Sequence, residues 1–417
     1  MDKPHEQLPQ NTIAFEPPTM DVVAPESQAF VSETPIPQEP TPVAYEPTVV
    51  PKPVRKKRSA WRYVWYVTKF LLRIALGLLL AALVLGVGLV GYLTVTEYTP
   101  AYAENADRGS VNRTEKINTE TLRVVSFNTG YAALGEDADF FMDGGKSVQS
   151  SEEETVLENM SEIERLLSEY DTDFIFLQEV DTDSKRSYET NQWISYEQGL
   201  EDYESRFALN YSCDYVPYPL HDRIGKVHSG IATYSRYDIT SATRYSLPNP
   251  FSWPVRAANL KRCLLVTRIP IEGTEQELVL VNLHLEAYDD GEGKRAQTKQ
   301  LIDLLETEYE KGNYVVAGGD FNQSFPDADN YPIVNDEYFV PGELEPLRYG
   351  WRYAYDDSVA TSRLLNEPYR PSSKTAQYYV IDGFIVSPNI TIRSVETIDE
   401  GFEYSDHNPV ILEFNLQ

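Results

Sequence analysis

The stretch Tyr314-Val-Val-Ala-Gly-Gly-Asp-Phe-Asn322 decides the fold of this 417-residue chain. Its β-branched, apolar run predicts a buried strand that ends in a carboxylate, Asp320. A predicted helix at 294–311 precedes it, and before that helix a second apolar strand covers 278–284. The order strand, helix, strand predicts packed α/β layers.

The first half of the same region repeats this scheme. An apolar strand at 122–127 is followed by Asn128, and a later strand ends in Glu179. Between them, Ser151 and Glu154 have the spacing of a capping box at the start of an amphipathic helix. Two such halves favour an α/β architecture over a helical bundle or a plain barrel.

Polar groups end nearly all of these apolar strands. A single carboxylate after a strand is usually a turn former or a helix cap, but carboxylates gathered at one end of a core repel each other unless they share a cation. Oxygen donors with few histidines suit a hard ion, Mg²⁺ or Mn²⁺, rather than zinc. The set comprises Asn128, Glu179, Asn282, His284, Asp320, Asn322, Asp382, Asp406 and His407.

Two short motifs in this set, Gly319-Asp320-Phe-Asn322 and Ser405-Asp406-His407, are specific when they occur together. With the other strand ends they follow the order seen in the endonuclease/exonuclease/phosphatase superfamily, which the chain resembles over about residues 122–414. The resemblance implies a four-layered α/β sandwich. It also implies metal-assisted cleavage of a phosphate ester by water.

The resemblance assigns the metal to three residues. Glu179 would bind the ion, with Asn128 and Asp406 as further ligands. Mg²⁺ or Mn²⁺ would be the cofactor, because a dianionic phosphorus intermediate needs a cation.

The resemblance also implies a catalytic group. His407, oriented by Asp382, would act as general base or contact the phosphate. Asp320 and Asn322 would position the water and the scissile phosphate, and His284 would protonate the leaving oxygen or stabilise its charge.

Three further residues are candidates for substrate binding. Deoxyribonucleases of the superfamily place a glutamate on the strand before the His284 element, where this chain has Lys226 and His228. These two residues either contact a substrate phosphate or belong to a surface turn. Arg295 either contacts substrate or lies on a solvated helix face.

The N-terminal part has a different composition. Twelve of the 27 prolines precede residue 54, which predicts a disordered tail. Residues 74–93 carry no charge and are long enough to span roughly 30 Å of hydrocarbon. The predicted domains are a Pro-rich cytoplasmic tail with a basic cluster at 1–60, a transmembrane helix with its flanks at 61–97, a linker at 98–121 and a catalytic domain at 122–417.

Charges on the two sides of the apolar run predict its orientation. Arg55, Lys56, Lys57 and Arg58 precede it and acids follow it, so the positive-inside rule puts the N-terminus in the cytoplasm. The chain is then a single-pass protein of the cell membrane with an extracytoplasmic catalytic domain. The alternative is a signal peptide cleaved after Ala101-Tyr-Ala103.

Charge also bears on substrate. Residues 97–417 hold 27 basic and 57 acidic side chains, a net of −30, which disfavours a groove for long duplex DNA. The sequence predicts a phosphodiester hydrolase, with nuclease action slightly favoured because nucleases are widespread in the superfamily. The alternatives are a sphingomyelinase- or phosphoinositide-type lipid or small-molecule phosphoesterase, and an inactive cell-surface binding module.

Protein partners are not indicated. Cys213 and Cys263 either pair or are buried thiols, and buried thiols are favoured.

Overall fold

The structure, a computed structural model, describes residues 59–289 and 291–417. The predicted disordered tail lies almost entirely outside the described residues. The helices are α1 (Ala60–Val95), α2 (Glu153–Glu169), α3 (Gln192–Gly199) and α4 (Glu292–Glu310).

One seven-stranded sheet, here called sheet 1, is built mainly from the first half of the domain and the last two strands. Its strands are β2 (Asp107–Arg108), β3 (Thr121–Asn128), β4 (Phe174–Asp181), β5 (Glu204–Val216), β6 (Gly225–Ser235), β17 (Ile390–Thr397) and β18 (Val410–Leu416). Their order is β17-β18-β3-β4-β6-β5-β2, and β3 and β4 run parallel at its centre.

A second seven-stranded sheet, sheet 2, has the order β1-β7-β8-β9-β10-β16-β13. Its strands are β1 (Ala103–Asn105), β7 (Ser241–Ser246), β8 (Cys263–Pro270), β9 (Glu277–His284), β10 (Tyr314–Asp320), β13 (Arg352–Ala354) and β16 (Asp382–Val386). Strands β9 and β10 are its parallel pair. Two small ribbons complete the set: β11 (Gln323–Ser324) with β12 (Gly342–Glu343), and β14 (Ser362–Arg363) with β15 (Tyr378–Tyr379).

The two sheets pack face to face, and each outer face is covered by helix. Alternate apolar residues of both sheets form the central core, for example Phe176 from sheet 1 and Leu280 from sheet 2. The apolar face of α2 covers sheet 1 through Ile163, and Leu301 of α4 covers sheet 2. The predicted α/β sandwich is confirmed.

A polar contact joins the two sheets inside this apolar core. Gln178 of β4 donates from Nε2 to Asn282 Oδ1 of β9 at 2.8 Å. Asn282 in turn donates to the backbone oxygens of Leu177 and Ala232. Both side chains are fully buried, so this bond orients the sheets relative to each other directly beneath the strand ends.

Three local features concern predictions made from the sequence: two are corrected and one is confirmed. The segment predicted as a linker supplies β1 and β2, because short polar segments can join a sheet edge through backbone hydrogen bonds alone. The predicted capping box does not form: Ser151 Oγ donates to Ala133 O instead, at 2.8 Å. Cys213 and Cys263 are both buried and unpaired.

Candidate active site

The carboxyl ends of the four central parallel strands meet at one end of the sandwich. Asn128 pairs in register with Gln178, next to Glu179, and His284 pairs with Asp320. Asp382 begins the antiparallel neighbour and pairs with Asp320. The topology therefore brings most of the predicted polar residues to one place.

A histidine and a carboxylate form the best-defined contact there. His407 Nδ1 lies 2.8 Å from Asp382 Oδ2, and both residues are buried. Thr361 Oγ1 accepts hydrogen bonds from the backbone N–H of Asp382, which fixes the start of that strand. Burial alone would lower the pKa of His407, but the charge and hydrogen bond of Asp382, together with the charges of Asp406 and Asp320, outweigh burial and raise it to about 10.

Asp320 lies at the centre of the group. Its Oδ2 accepts a hydrogen bond from Asn128 Nδ2 at 3.1 Å, and it lies 3.4 Å from His284 Nε2 and 3.8 Å from His407 Nε2. Burial first, and then the charge of Asp382, raises the pKa of Asp320 to about 7. A carboxyl group with this pKa can both hold and accept a proton near neutrality.

Backbone geometry around Asp320 explains the two glycines before it. A Cβ at Gly319 would lie 2.0 Å from Leu283 O, and a Cβ at Gly318 would lie 2.2 Å from the Phe384 ring. Asn322, with a φ of 50°, turns the chain back and donates from Nδ2 to Leu285 O at 2.9 Å. Its backbone N–H donates to Asp320 Oδ1 at 2.8 Å, so Asn322 orients that carboxylate.

Glu179 and Asp406 form a second acidic pair. Glu179 has a φ of 55° and a half-buried side chain, whereas Asp406 is buried. Burial raises the pKa of Asp406 to about 6, and the negative charge of Glu179 adds to the rise while His407 opposes it. Among the residues the structure describes, no Lys or Arg pairs with either carboxylate. Arg186 is paired with Asp181, and Arg363, whose charge acts on Asp406, donates its side-chain hydrogen bonds to backbone oxygens.

Two donor sets could hold a divalent cation. Asp320, Asp382 and His407 offer ligand atoms within 4.8 Å of one another. In that set, however, His407 Nδ1 and one Asp382 oxygen are already bonded to each other. Glu179 and Asp406 are in no ion pair with Lys or Arg within the described part of the chain, and their oxygens are the ligands that a hard cation prefers.

His284 is the third member of the central group. It is buried, and its Nδ1 has no hydrogen-bond partner within the described part of the chain. Burial first, and then the positive charge of Arg262, lowers its pKa well below the usual value. His284 is therefore a neutral imidazole with one ring nitrogen free.

The three weaker candidates lie apart from this group. Lys226 forms an ion pair with Asp183 and is partly exposed. His228 Nδ1 is 2.6 Å from Thr182 Oγ1, and burial lowers its pKa. Arg295 is exposed on α4. The structure brings none of the three into contact with the central group.

Lys294, the neighbour of Arg295, faces the site although it is not among the residues predicted from the sequence. Lys294 is buried, it lies above the Phe339 ring, and the negative charges of Asp289, Glu286 and Asp320 act on it. Burial lowers its pKa. Helical spacing was the available signal, since Lys294 falls seven residues before Leu301, on the inward face of α4.

Comparisons with known proteins agree with this geometry. The model of the Endonuclease/Exonuclease/phosphatase family matches residues 127–407. No curated protein matches the chain.

Solved structures with the same fold are similar to the domain at low identity. An endonuclease/exonuclease/phosphatase from Beutenbergia cavernae is 16% identical over 72% of each chain, with a TM-score of 0.51. The human Nocturnin catalytic domain with bound sulfate is 16% identical over 75% of this chain and 97% of its own, with a TM-score of 0.45. A humanized D. rerio TDP2 is 16% identical over 71% of this chain and all of its own, with a TM-score of 0.44. At this identity, the first of them supports the fold alone.

Proposed function

Because the chain belongs to the endonuclease/exonuclease/phosphatase family, whose members hydrolyse phosphoesters, we propose that it is a membrane-anchored, divalent-metal-dependent phosphodiester hydrolase. The observation that carries this proposal is the buried group of Asp320, Asp382 and His407 beside the unpaired carboxylates of Glu179 and Asp406. These four carboxylates outnumber the one histidine among them, and gathering so much negative charge would be costly unless it served a cation and an anionic substrate.

Glu179 and Asp406, with Asn128 beside them, would hold Mg²⁺ or Mn²⁺. The ion, when bound, neutralises charge that develops on the phosphate oxygens. Asn128 also ties this pair to the central group, because its amide bonds Asp320.

The central group would handle the protons. Asp320, with a pKa near 7, holds the attacking water and accepts its proton, and Asn322 keeps that carboxylate oriented. His407, protonated through Asp382, contacts a phosphate oxygen. His284, neutral and with a free ring nitrogen, faces the leaving oxygen and stabilises its charge.

Membrane anchoring rests on α1. This helix has 36 residues, its most apolar window has a mean hydropathy of 2.6, and none of that window is buried in the protein. Basic residues before the apolar run and acids after it support a cytoplasmic N-terminus and an extracytoplasmic catalytic domain. A signal sequence is the alternative use of such a helix.

The sequence leaves two substrate classes. Nucleic acid is the first expectation, and a lipid or small-molecule phosphoester is the second. The net charge of −30 after residue 96 argues for few phosphate contacts and against tight binding of long duplex DNA.

The test is hydrolysis by the full chain in phospholipid nanodiscs. The panel contains bis(p-nitrophenyl) phosphate, single- and double-stranded DNA, RNA, sphingomyelin and phosphoinositides, each with Mg²⁺, Mn²⁺ or EDTA. We expect cleavage that EDTA abolishes and added metal restores. No cleavage of any compound would favour the binding-module alternative.

A further inference from the structure

Two long loops leave the sandwich at the same end as the catalytic residues. Leu264 pairs with Leu283 beside His284, so the loop between β7 and β8, at 247–262, leaves at that end of sheet 2. Asp181 pairs with Ser229, so the loop between β5 and β6, at 217–224, leaves at that end of sheet 1. The two loops therefore flank the site.

Exposed apolar side chains concentrate at this end. Outside α1, the described residues include thirteen exposed large hydrophobic side chains, and ten of them lie on segments that connect the strands at this end of the sandwich. The most exposed on the two loops are Leu220 at 77%, Tyr218 at 60%, Val255 at 58% and Trp253 at 56%. We call these four residues the apolar rim. Such clustering marks an interaction surface rather than ordinary scatter.

The end of α1 packs against the base of the same two loops. Leu89 and Leu93 join an apolar cluster with Val216 and Ala257. These two leucines belong to the uncharged run of residues 74–93, so the domain touches the last turn of that run. The distance from Leu89 to Leu93 along the helix is only about 6 Å, which leaves no spacer between the apolar run and the domain.

Polar contacts fix this junction. Glu97, just after α1, is 2.8 Å from Arg256 Nε and 3.3 Å from Lys261 Nζ. Trp253 Nε1 donates to Thr94 Oγ1 at 2.9 Å. An apolar-rim residue is thus bonded to the helix one residue beyond the uncharged run.

We propose that the apolar rim seats on the phospholipid bilayer that α1 enters, and that the active site therefore opens toward the lipid headgroups. The anchor helix and the apolar rim are continuous, because Trp253 lies at the level of Thr94, at the end of the uncharged run, where interfacial tryptophans are enriched. The bilayer is a zwitterionic one, because the acidic domain would be repelled by an anionic surface. The inference rests on the proposed membrane anchoring. Its consequence is that phosphoesters displayed on the membrane reach the site ahead of polymers in bulk solution.

The experiment measures depth in the bilayer. The full chain is placed in phosphatidylcholine nanodiscs, with a fluorophore attached at Val255→Cys, at Leu83→Cys within the apolar run, or at Tyr349→Cys. Both natural cysteines are buried. Tyr349 is 82% exposed and precedes β13, at the sheet edge opposite β1, so it is the matched control.

We expect shallow spin-labelled lipids to quench the label at Val255 at least threefold more strongly than the label at Tyr349. Equal shallow quenching at Val255 and Tyr349, with strong quenching of the label at Leu83 by lipids spin-labelled deep in the acyl chain, would overturn the docking surface while leaving the anchor intact. Absence of quenching at Leu83 by the deep label would overturn the anchor itself, and docking with it.

A second arm tests the substrate consequence in the same nanodiscs. Sphingomyelin and phosphoinositides in the bilayer are compared with single-stranded DNA in solution. Faster cleavage of a lipid headgroup supports the inference. Cleavage of DNA with no lipid cleaved overturns it, and failure to cleave even bis(p-nitrophenyl) phosphate counts against the proposed hydrolase instead.

Discussion

Replacing Asp382 by Asn tests the pair on which the catalytic assignment depends. The substitution keeps the size of the side chain and removes its charge. In the native protein the pKa of His407 is about 10, compared with 6.5 for an ordinary histidine, a difference that corresponds to roughly 5 kcal/mol. Asp406 and Asp320 also contribute to this difference.

The share of Asp382 can be estimated from its 2.8 Å contact with His407. A hydrogen bond to a charged group is worth about 1.5–3 kcal/mol, which corresponds to a pKa change of about 1 to 2. The sign follows from burial, which favours the neutral imidazole once the carboxylate is gone. We therefore expect the pKa of His407 to fall by that amount in Asp382→Asn.

Turnover should fall by roughly 10² to 10³, the range for losing one positioned donor to a developing anion, because Asp382 no longer holds the His407 ring in place. The assay is hydrolysis of bis(p-nitrophenyl) phosphate by the full chain in nanodiscs, with the ring ¹⁵N shifts of labelled histidines followed against pH. Asp303→Asn is the matched control, because Asp303 is exposed on α4 and its ion pair is with the exposed Lys299. Turnover within threefold of the native protein, together with an unchanged pKa of His407, would refute the reasoning.

Four further outcomes are expected. In Glu179→Gln, the Mg²⁺ concentration for half-maximal activity should rise at least tenfold, and an unchanged metal dependence would exclude Glu179 as a principal ligand. His284→Gln should lower kcat by roughly 10² or more with little change in KM; a loss below threefold would make His284 structural. Lys294→Met should lower kcat/KM about tenfold while Arg295→Met changes it less than twofold, since only Lys294 faces the acidic group; equal effects would contradict this. Protease added to intact cells should degrade the catalytic domain and spare an N-terminal tag, and survival of the domain would reverse the proposed orientation.

The strands that carry the site were predictable because their apolar runs are long and end abruptly in a polar residue. Strand β10 was predicted with the bounds that the structure has, Tyr314–Asp320. Parallel neighbours then place Asp320 beside His284 without further assumption. The sandwich followed from two repeats of this pattern together with the superfamily resemblance.

Other features could not be predicted, because they depend on contacts distant in sequence. The residues around Ser151 fit a helix cap equally well, and its actual hydrogen bond to Ala133 O depends on a segment 18 residues away. Strands β1 and β2 have no apolar signature, since the backbones of β7 and β5 hold them. The choice of Arg295 over Lys294 was avoidable, because the inward face of α4 was already defined by Leu301.

The buried bond between Gln178 and Asn282 has a consequence for engineering. The two sheets share no backbone ladder there, and apolar surfaces alone tolerate small sliding movements, whereas a hydrogen bond tolerates little. Gln178 precedes Glu179, and Asn282 lies two residues before His284. The bond therefore fixes the position of Glu179 on sheet 1 relative to His284 on sheet 2. Replacing both side chains by leucine could preserve or even raise thermal stability. Such a protein would be as stable as the native one but would hold its catalytic residues less accurately, and a screen for melting temperature alone would select it.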